Sequence, residues 1–119
     1  MKQILIIEDN RIQSLVLSKQ LERLGYKVLG RIASGEEAIE SVKRLAPDLI
    51  LVNIYLEGIY NGIEVMTEIK TFSNAPFIYI TGNSDLETKK KAMKTKPADY
   101  LVKPVDLKVL EKALTKAIQ

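Results

Sequence analysis

Four polar signals, each closing an apolar run, carry the chemistry open to this chain. Glu8 and Asp9 follow Ile4-Leu5-Ile6-Ile7, Asn53 follows Leu49-Ile50-Leu51-Val52, Thr81 follows Phe77-Ile78-Tyr79-Ile80, and Lys103 follows Tyr100-Leu101-Val102. Adjacent carboxylates repel unless a cation sits between them, and hard oxygen ligands suit magnesium. A hydroxyl at the end of a central strand can hydrogen-bond a phosphoryl oxygen, with the Gly82 N–H approaching closely. The lysine is a point cation able to neutralise phosphoryl charge. Pro104 follows it, and proline is the residue at which a cis peptide costs least. Taken singly, each signal has a plainer reading. Asp9 or Asn10 can cap the first helix, Thr81 can belong to a turn leading into a helix, and Lys-Pro is a common loop. Together they describe a phosphoryl-handling pocket in which an amide, Asn53, stands where an acceptor carboxylate is wanted.

The elements that must position these groups alternate along the chain. Strands are expected near 3–8, 26–31, 48–53, 76–80 and 98–102. Ile4 to Ile7 and Leu49 to Val52 are continuously apolar, the pattern of strands covered on both faces in a parallel sheet. Helical spacing appears in Leu17, Leu21 and Leu24, in Ala38, Val42 and Leu45, in Val65, Ile69 and Phe72, and in Leu107, Leu110, Leu114 and Ala117. Ser34…Glu37 and Ser84…Glu87 have capping-box spacing, Asp106 is an N-cap after Pro104, and Gly25 falls at a helix C-terminus. The stretch from Leu86 to Lys96 is the weakest helix, with Leu86 and Met93 on one face and five lysines crowding the rest. Five strands alternating with five helices predict a parallel α/β sheet with right-handed crossovers. In such sheets ligands bind outside the carboxyl ends of the strands, where all four polar signals lie.

Composition narrows the classes further. The chain has 119 residues, enough for one domain with a real core, with 46% hydrophobic and 28% charged residues. Cysteine and histidine are both absent, which excludes disulfides, thiolate and imidazole chemistry, and a phosphohistidine within this chain. Four apolar residues before Glu8 are too few for a signal-peptide core, and no apolar run approaches the roughly 18 residues of a membrane span. A cytoplasmic protein is expected. The net charge of +3 does not by itself argue for nucleic acid.

In this order and spacing, the segments Ile-Leu-Ile-Ile-Glu-Asp-Asn at 4–10, Pro-Asp-Leu-Ile-Leu-Val-Asn at 47–53, Thr-Gly at 81–82 and Tyr-Leu-Val-Lys-Pro at 100–104 resemble the receiver domain of two-component response regulators (CheY-like). The resemblance spans essentially the whole chain, so that 1–119 reads as a single receiver domain. The segment from Leu56 to Glu64 is similar to the family's loop into the third helix, in the subgroup whose loop is one residue longer. The resemblance implies a doubly wound, five-stranded parallel sheet in the order 2-1-3-4-5 with five helices. It implies that Glu8 and Asp9 are the magnesium-binding acids, joined by the backbone carbonyl of Tyr55. It implies that Thr81 and Lys103 contact the phosphoryl group and that Tyr100 is the aromatic switch residue coupled to Thr81. Asn53 falls on the phosphoacceptor, where the family has aspartate.

That departure alters the expected chemistry. The family reaction is attack by a carboxylate oxygen on phosphorus with magnesium screening charge. An amide has a delocalised lone pair and no charge, so it is a poor nucleophile. It also removes one of three acids from the cation site, which weakens magnesium although the amide oxygen can still ligate it. The fold should survive, since Asn and Asp are nearly isosteric, and relief of carboxylate crowding is worth on the order of 1 kcal/mol. Two explanations compete: a receiver disabled deliberately, by an engineered or recent replacement of its acceptor aspartate with asparagine, or a natural pseudo-receiver that works by binding. A long-idle pocket has no chemical reason to keep an acid pair, a hydroxyl and a lysine, so the first is favoured.

The resemblance implies a histidine kinase or phosphotransfer protein as partner. It also implies an output face made by the fourth helix, fifth strand and fifth helix, available to an effector or a homodimer. The lysines from Lys89 to Lys96 lie there, as a solvated face or as a docking surface for an acidic partner. Direct DNA binding is not expected, because no helix-turn-helix segment follows before Gln119. Neither Gly-x-Gly-x-x-Gly nor Gly-Lys-Ser/Thr is present, and an aspartyl phosphatase would need an acid at position 53, so an enzyme is not expected. The rival is an interaction module indifferent to phosphodonors and magnesium.

Overall fold

The computed structural model describes residues 1–82 and 85–118. Strands β1 (Gln3–Ile7), β2 (Lys27–Ile32), β3 (Leu49–Val52), β4 (Phe77–Thr81) and β5 (Asp99–Val102) alternate with helices α1 (Arg11–Arg23), α2 (Gly35–Leu45), α3 (Gly62–Ile69), α4 (Leu86–Met93) and α5 (Leu107–Ile118). All pairings are parallel, in the order β2-β1-β3-β4-β5, with one register irregularity between Ile4 and Leu5 where β1 meets β2.

The continuous apolar runs divide their side chains between two cores, because successive residues of a strand point to opposite faces. Leu5, Ile7, Ile50, Val52, Phe77 and Tyr79 pack with Ala38 and Val42 of α2, Val65, Met66 and Ile69 of α3, and Ala92 of α4. Ile4, Ile6, Leu49, Leu51, Ile78 and Ile80 pack with Leu21 of α1 and with Leu110, Ala113 and Leu114 of α5. Burial on both faces makes alternation unnecessary, and the sheet is the buried middle layer.

Several helix ends follow their sequence signals. Ser34 Oγ accepts from the Glu37 N–H at 3.3 Å, and Asp106 Oδ1 accepts from the Val109 N–H at 2.8 Å. Gly25, with φ +92, follows the last turn of α1, where Tyr26 N–H returns to Leu21 O at 3.0 Å. A reciprocal capping box closes α3, where Asn61 and Glu64 each accept from the other's backbone N–H at 2.9 Å. The expected Ser84…Glu87 box involves a residue outside those described; Asp85 is the N-cap of α4.

Two expectations need correction. Phe72 is not part of α3, which ends at Ile69; it sits in the following turn, partly exposed, under the Lys43 ammonium. Three apolar residues at helical spacing do not extend a helix through the polar Thr71-Phe72-Ser73-Asn74 turn. The helix expected from Leu86 to Lys96 ends earlier, at Met93; Leu86 and Met93 are exposed, and Ala92 is its buried residue. An alanine with one methyl permits close approach to the sheet, and the larger residues are left to solvent.

Candidate functional site

The sheet continues its ladder one residue past three strand ends, and each extra rung fixes a site residue. Glu8 N–H donates to Ile32 O at 2.8 Å, Asn53 N–H to Ile7 O at 2.8 Å, and Lys103 N–H to Thr81 O at 2.9 Å. Glu8, Asn53 and Thr81 are therefore held on rigid backbone, and all three are buried. The register that aligns Ile7 with Val52 and Thr81 with Val102 brings residues far apart in sequence to one end of the sheet.

Asn53 organises the acidic end. Its Nδ2 donates to Glu8 Oε2 at 3.1 Å, to Asp9 Oδ1 at 3.5 Å and to Tyr55 O at 2.9 Å. Those acceptors are the two carboxylates and the main-chain carbonyl singled out from the sequence. Facing the other way, Asn53 Oδ1 is buried with no hydrogen-bond partner among the described residues. The reverse orientation would aim an oxygen at three oxygens, so electrostatics fixes the amide as found. A buried acceptor left unsatisfied costs about 1–3 kcal/mol.

The basic end is built around Lys103. Its ammonium makes an ion pair with Glu8 Oε1 at 2.6 Å and also donates to Gln13 Oε1 on α1. The Lys103–Pro104 peptide is cis, as the sequence suggested. Glu8 is the hinge of the pocket: one carboxylate oxygen receives the lysine, and the other receives the Asn53 amide and the Asn10 N–H at 3.0 Å. A groove of about 480 Å³ opens from Glu8 and Lys103 along α1, walled by Ile12, Val16, Leu17, Pro104 and Val105.

Tyr100 lies partly buried at the flank, with its ring 6.1 Å from that of Tyr79 and the Lys89 ammonium 5.5 Å above it. Burial, and then the neighbouring Tyr55 and Asp85 charges, raise its pKa. Tyr79 is fully buried and shares a 2.7 Å hydrogen bond with Thr95; burial pushes its pKa up to about 12 against the hydrogen bond's opposing effect. The lysines at 89, 90, 91, 94 and 96 are exposed.

The chain's own donors fit a hard divalent cation. Two carboxylates and a main-chain carbonyl converge on the Asn53 amide nitrogen, and the oxygen of that amide has no donor among the described residues. Among the described residues, however, no group of three or more His, Cys, Asp or Glu is placed to hold a metal ion. Two contributors escaped the sequence reading. Gln13 reaches Lys103 across 90 positions, which no local pattern announces. Gly62 brings the start of α3 against the Asn53 backbone: a Cβ there would lie 2.2 Å from Asn53 O, and its N–H donates to Ile54 O at 2.6 Å. The Asn61-x-x-Glu64 spacing beside it was the available signal.

A doubly wound sheet in the order 2-1-3-4-5, with acids, a hydroxyl and a lysine at its carboxyl end, defines the CheY-like class of proteins. Residues 4–115 match the response regulator receiver domain, and the chain belongs to that family. It is 31% identical over 116 residues to the chemotaxis protein CheY of Thermotoga maritima, covering 97% of this chain and 96% of that protein. It is 34% identical over 116 residues to the transcriptional regulatory protein ZraR of Escherichia coli, covering 97% of this chain and 26% of that protein. The chain thus spans about a quarter of the ZraR relatives it matches. The signal receiver domain of a modulated diguanylate cyclase from Desulfovibrio desulfuricans superposes with a TM-score of 0.93 at 40% identity, covering 99% of this chain and 94% of that one. A sensor histidine kinase receiver domain from Pseudomonas aeruginosa, solved with a magnesium ion coordinated in its active site cleft, superposes at 0.89 with 30% identity, covering 98% and 97%. The chain is a receiver domain of a two-component system. No helix of the described residues is long and apolar enough to cross a membrane.

Proposed function

We propose that this chain is a receiver whose phosphoacceptor position is held by Asn53, so that it has the pocket for phosphoryl transfer without the nucleophile. The observation that carries the reading is Asn53 itself, fixed by the ladder at the end of β3 with its side chain turned onto Glu8, Asp9 and the Tyr55 carbonyl. In that arrangement Glu8, Asp9, Asn53 Oδ1 and the Tyr55 carbonyl would hold magnesium. Bound there, the ion would screen charge on a phosphoryl group. Lys103 and Thr81 would receive the phosphoryl oxygens, and Tyr100 would respond to movement of Thr81. Asn53 would weaken that hold, because its amide would have to give up its contacts with Glu8, Asp9 and the Tyr55 carbonyl before its oxygen could turn inward. The chain is not an enzyme. It works in the cytoplasm with a histidine kinase or phosphotransfer protein. Its output passes through α4, β5 and α5, to an effector or a second copy. Retention of every other pocket residue supports replacement of an acceptor aspartate in an otherwise working receiver.

One observation favours the second reading, a natural pseudo-receiver that binds partners without phosphorylation. The Asn53 amide already satisfies the acid pair and the Tyr55 carbonyl, as a resident cation would. Intact mass after incubation with acetyl phosphate and magnesium separates the two, for this chain beside its Asn53→Asp variant. Phosphoryl gain by the aspartate variant alone supports the disabled receiver. Gain by neither supports the pseudo-receiver, and gain by the unaltered chain overturns the account of Asn53.

A further inference from the structure

The first turn of α1 contains a side chain bonded out of its local pattern. Asn10 is the N-cap of α1, and its Oδ1 accepts from the Gln13 N–H at 3.0 Å. In a capping box the side chain at Gln13's position would return to the Asn10 N–H. That N–H is already taken by Glu8 Oε2, at 3.0 Å. The Gln13 side chain is therefore released, and its carbonyl oxygen accepts from Lys103 Nζ. The same Glu8 that displaces Gln13 from the cap holds Lys103 with its other oxygen.

An ammonium has three donors and no acceptor. With one N–H on Glu8 and one on Gln13, a single N–H remains for an incoming anion. Glu8 anchors Lys103 by charge and partly neutralises it, whereas Gln13 is neutral and orients the ammonium without cancelling its charge. We propose that Gln13 is a positioning residue for Lys103, aiming its remaining N–H at a phosphoryl oxygen; this rests on reading the pocket as a receiver site.

The contact is tested first in the unaltered chain. A small amine-acylating ester, read residue by residue by mass spectrometry, reports how accessible Lys103 is relative to the exposed Lys108 of α5. Gln13→Met, which keeps side-chain length and removes the acceptor, is expected to raise relative labelling of Lys103 several-fold; unchanged labelling overturns the proposal. The second arm uses Asn53→Asp. Adding Gln13→Met is expected to slow phosphorylation by acetyl phosphate roughly tenfold, with magnesium affinity by calorimetry unchanged. Gln13→Glu gives Lys103 a second carboxylate and should slow it further. If Asn53→Asp is phosphorylated and both Gln13 variants match its rate, Gln13 has no positioning role. If Asn53→Asp gains no phosphoryl group, the receiver reading of the pocket fails and the positioning role falls with it.

Discussion

An amide and a carboxylate at position 53 ask opposite things of Glu8 and Asp9. The amide donates, so it draws both acids and the Tyr55 carbonyl toward one nitrogen. A carboxylate of the same size would repel them and require a cation. Asn53→Asp should therefore lower metal-free stability by about 1–2 kcal/mol and regain it when magnesium is added. Urea midpoints for both chains, with chelator and with magnesium, measure this directly. Equal metal-free midpoints would mean the three amide contacts contribute nothing. The same experiment should show the unaltered chain nearly indifferent to magnesium.

At the scale of elements, the pocket depends on how closely α3 approaches the end of β3. Gly62→Ala places a methyl carbon within bonding-clash distance of backbone, with no flexible side chain to yield. It should cost about 2 kcal/mol or more and shift the Asn53 amide resonance in a two-dimensional NMR spectrum. Asn61→Ala removes the capping box one residue earlier and should cost about 1 kcal/mol while leaving that resonance in place. Denaturant melts and one spectrum per variant distinguish a packing requirement from a helix-start effect. The strands were legible because doubly covered strands are continuously apolar, and Glu8, Asn53, Thr81 and Lys103 because each interrupts such a run. Phe72 misled because periodicity carries no information about where a polar turn stops a helix. The face shared by Leu86 and Met93 did not reveal that α4 packs through the small Ala92. Gln13 was invisible since its partner lies at the other end of the chain, brought close only by the sheet order.

For the molecule as a whole, the core that holds Tyr79 bears on stability at alkaline pH. Tyr79 sits fully buried between α3 and α4, and its pKa is raised from 10.0 to about 12. Between those values the unfolded chain releases the phenolic proton while the folded one keeps it. The stabilisation is thus complete below about pH 10 and lost as pH rises through about 12. Tyr79→Phe cannot titrate, so its melting temperature should fall less steeply from pH 9.5 upward than that of the parent, although it loses the Thr95 hydrogen bond at neutral pH. Parallel slopes for the two chains would show that another group controls the alkaline limb. The size match at Asn53 has a consequence in heredity as well as in energy. Codons for asparagine and aspartate differ by a single base, and the buried side chain at 53 leaves the carboxylate as much room as the amide. No neighbour has to mutate first. For as long as Glu8, Asp9, Thr81 and Lys103 persist, one transition is enough to place a carboxylate at 53 in an otherwise unchanged pocket.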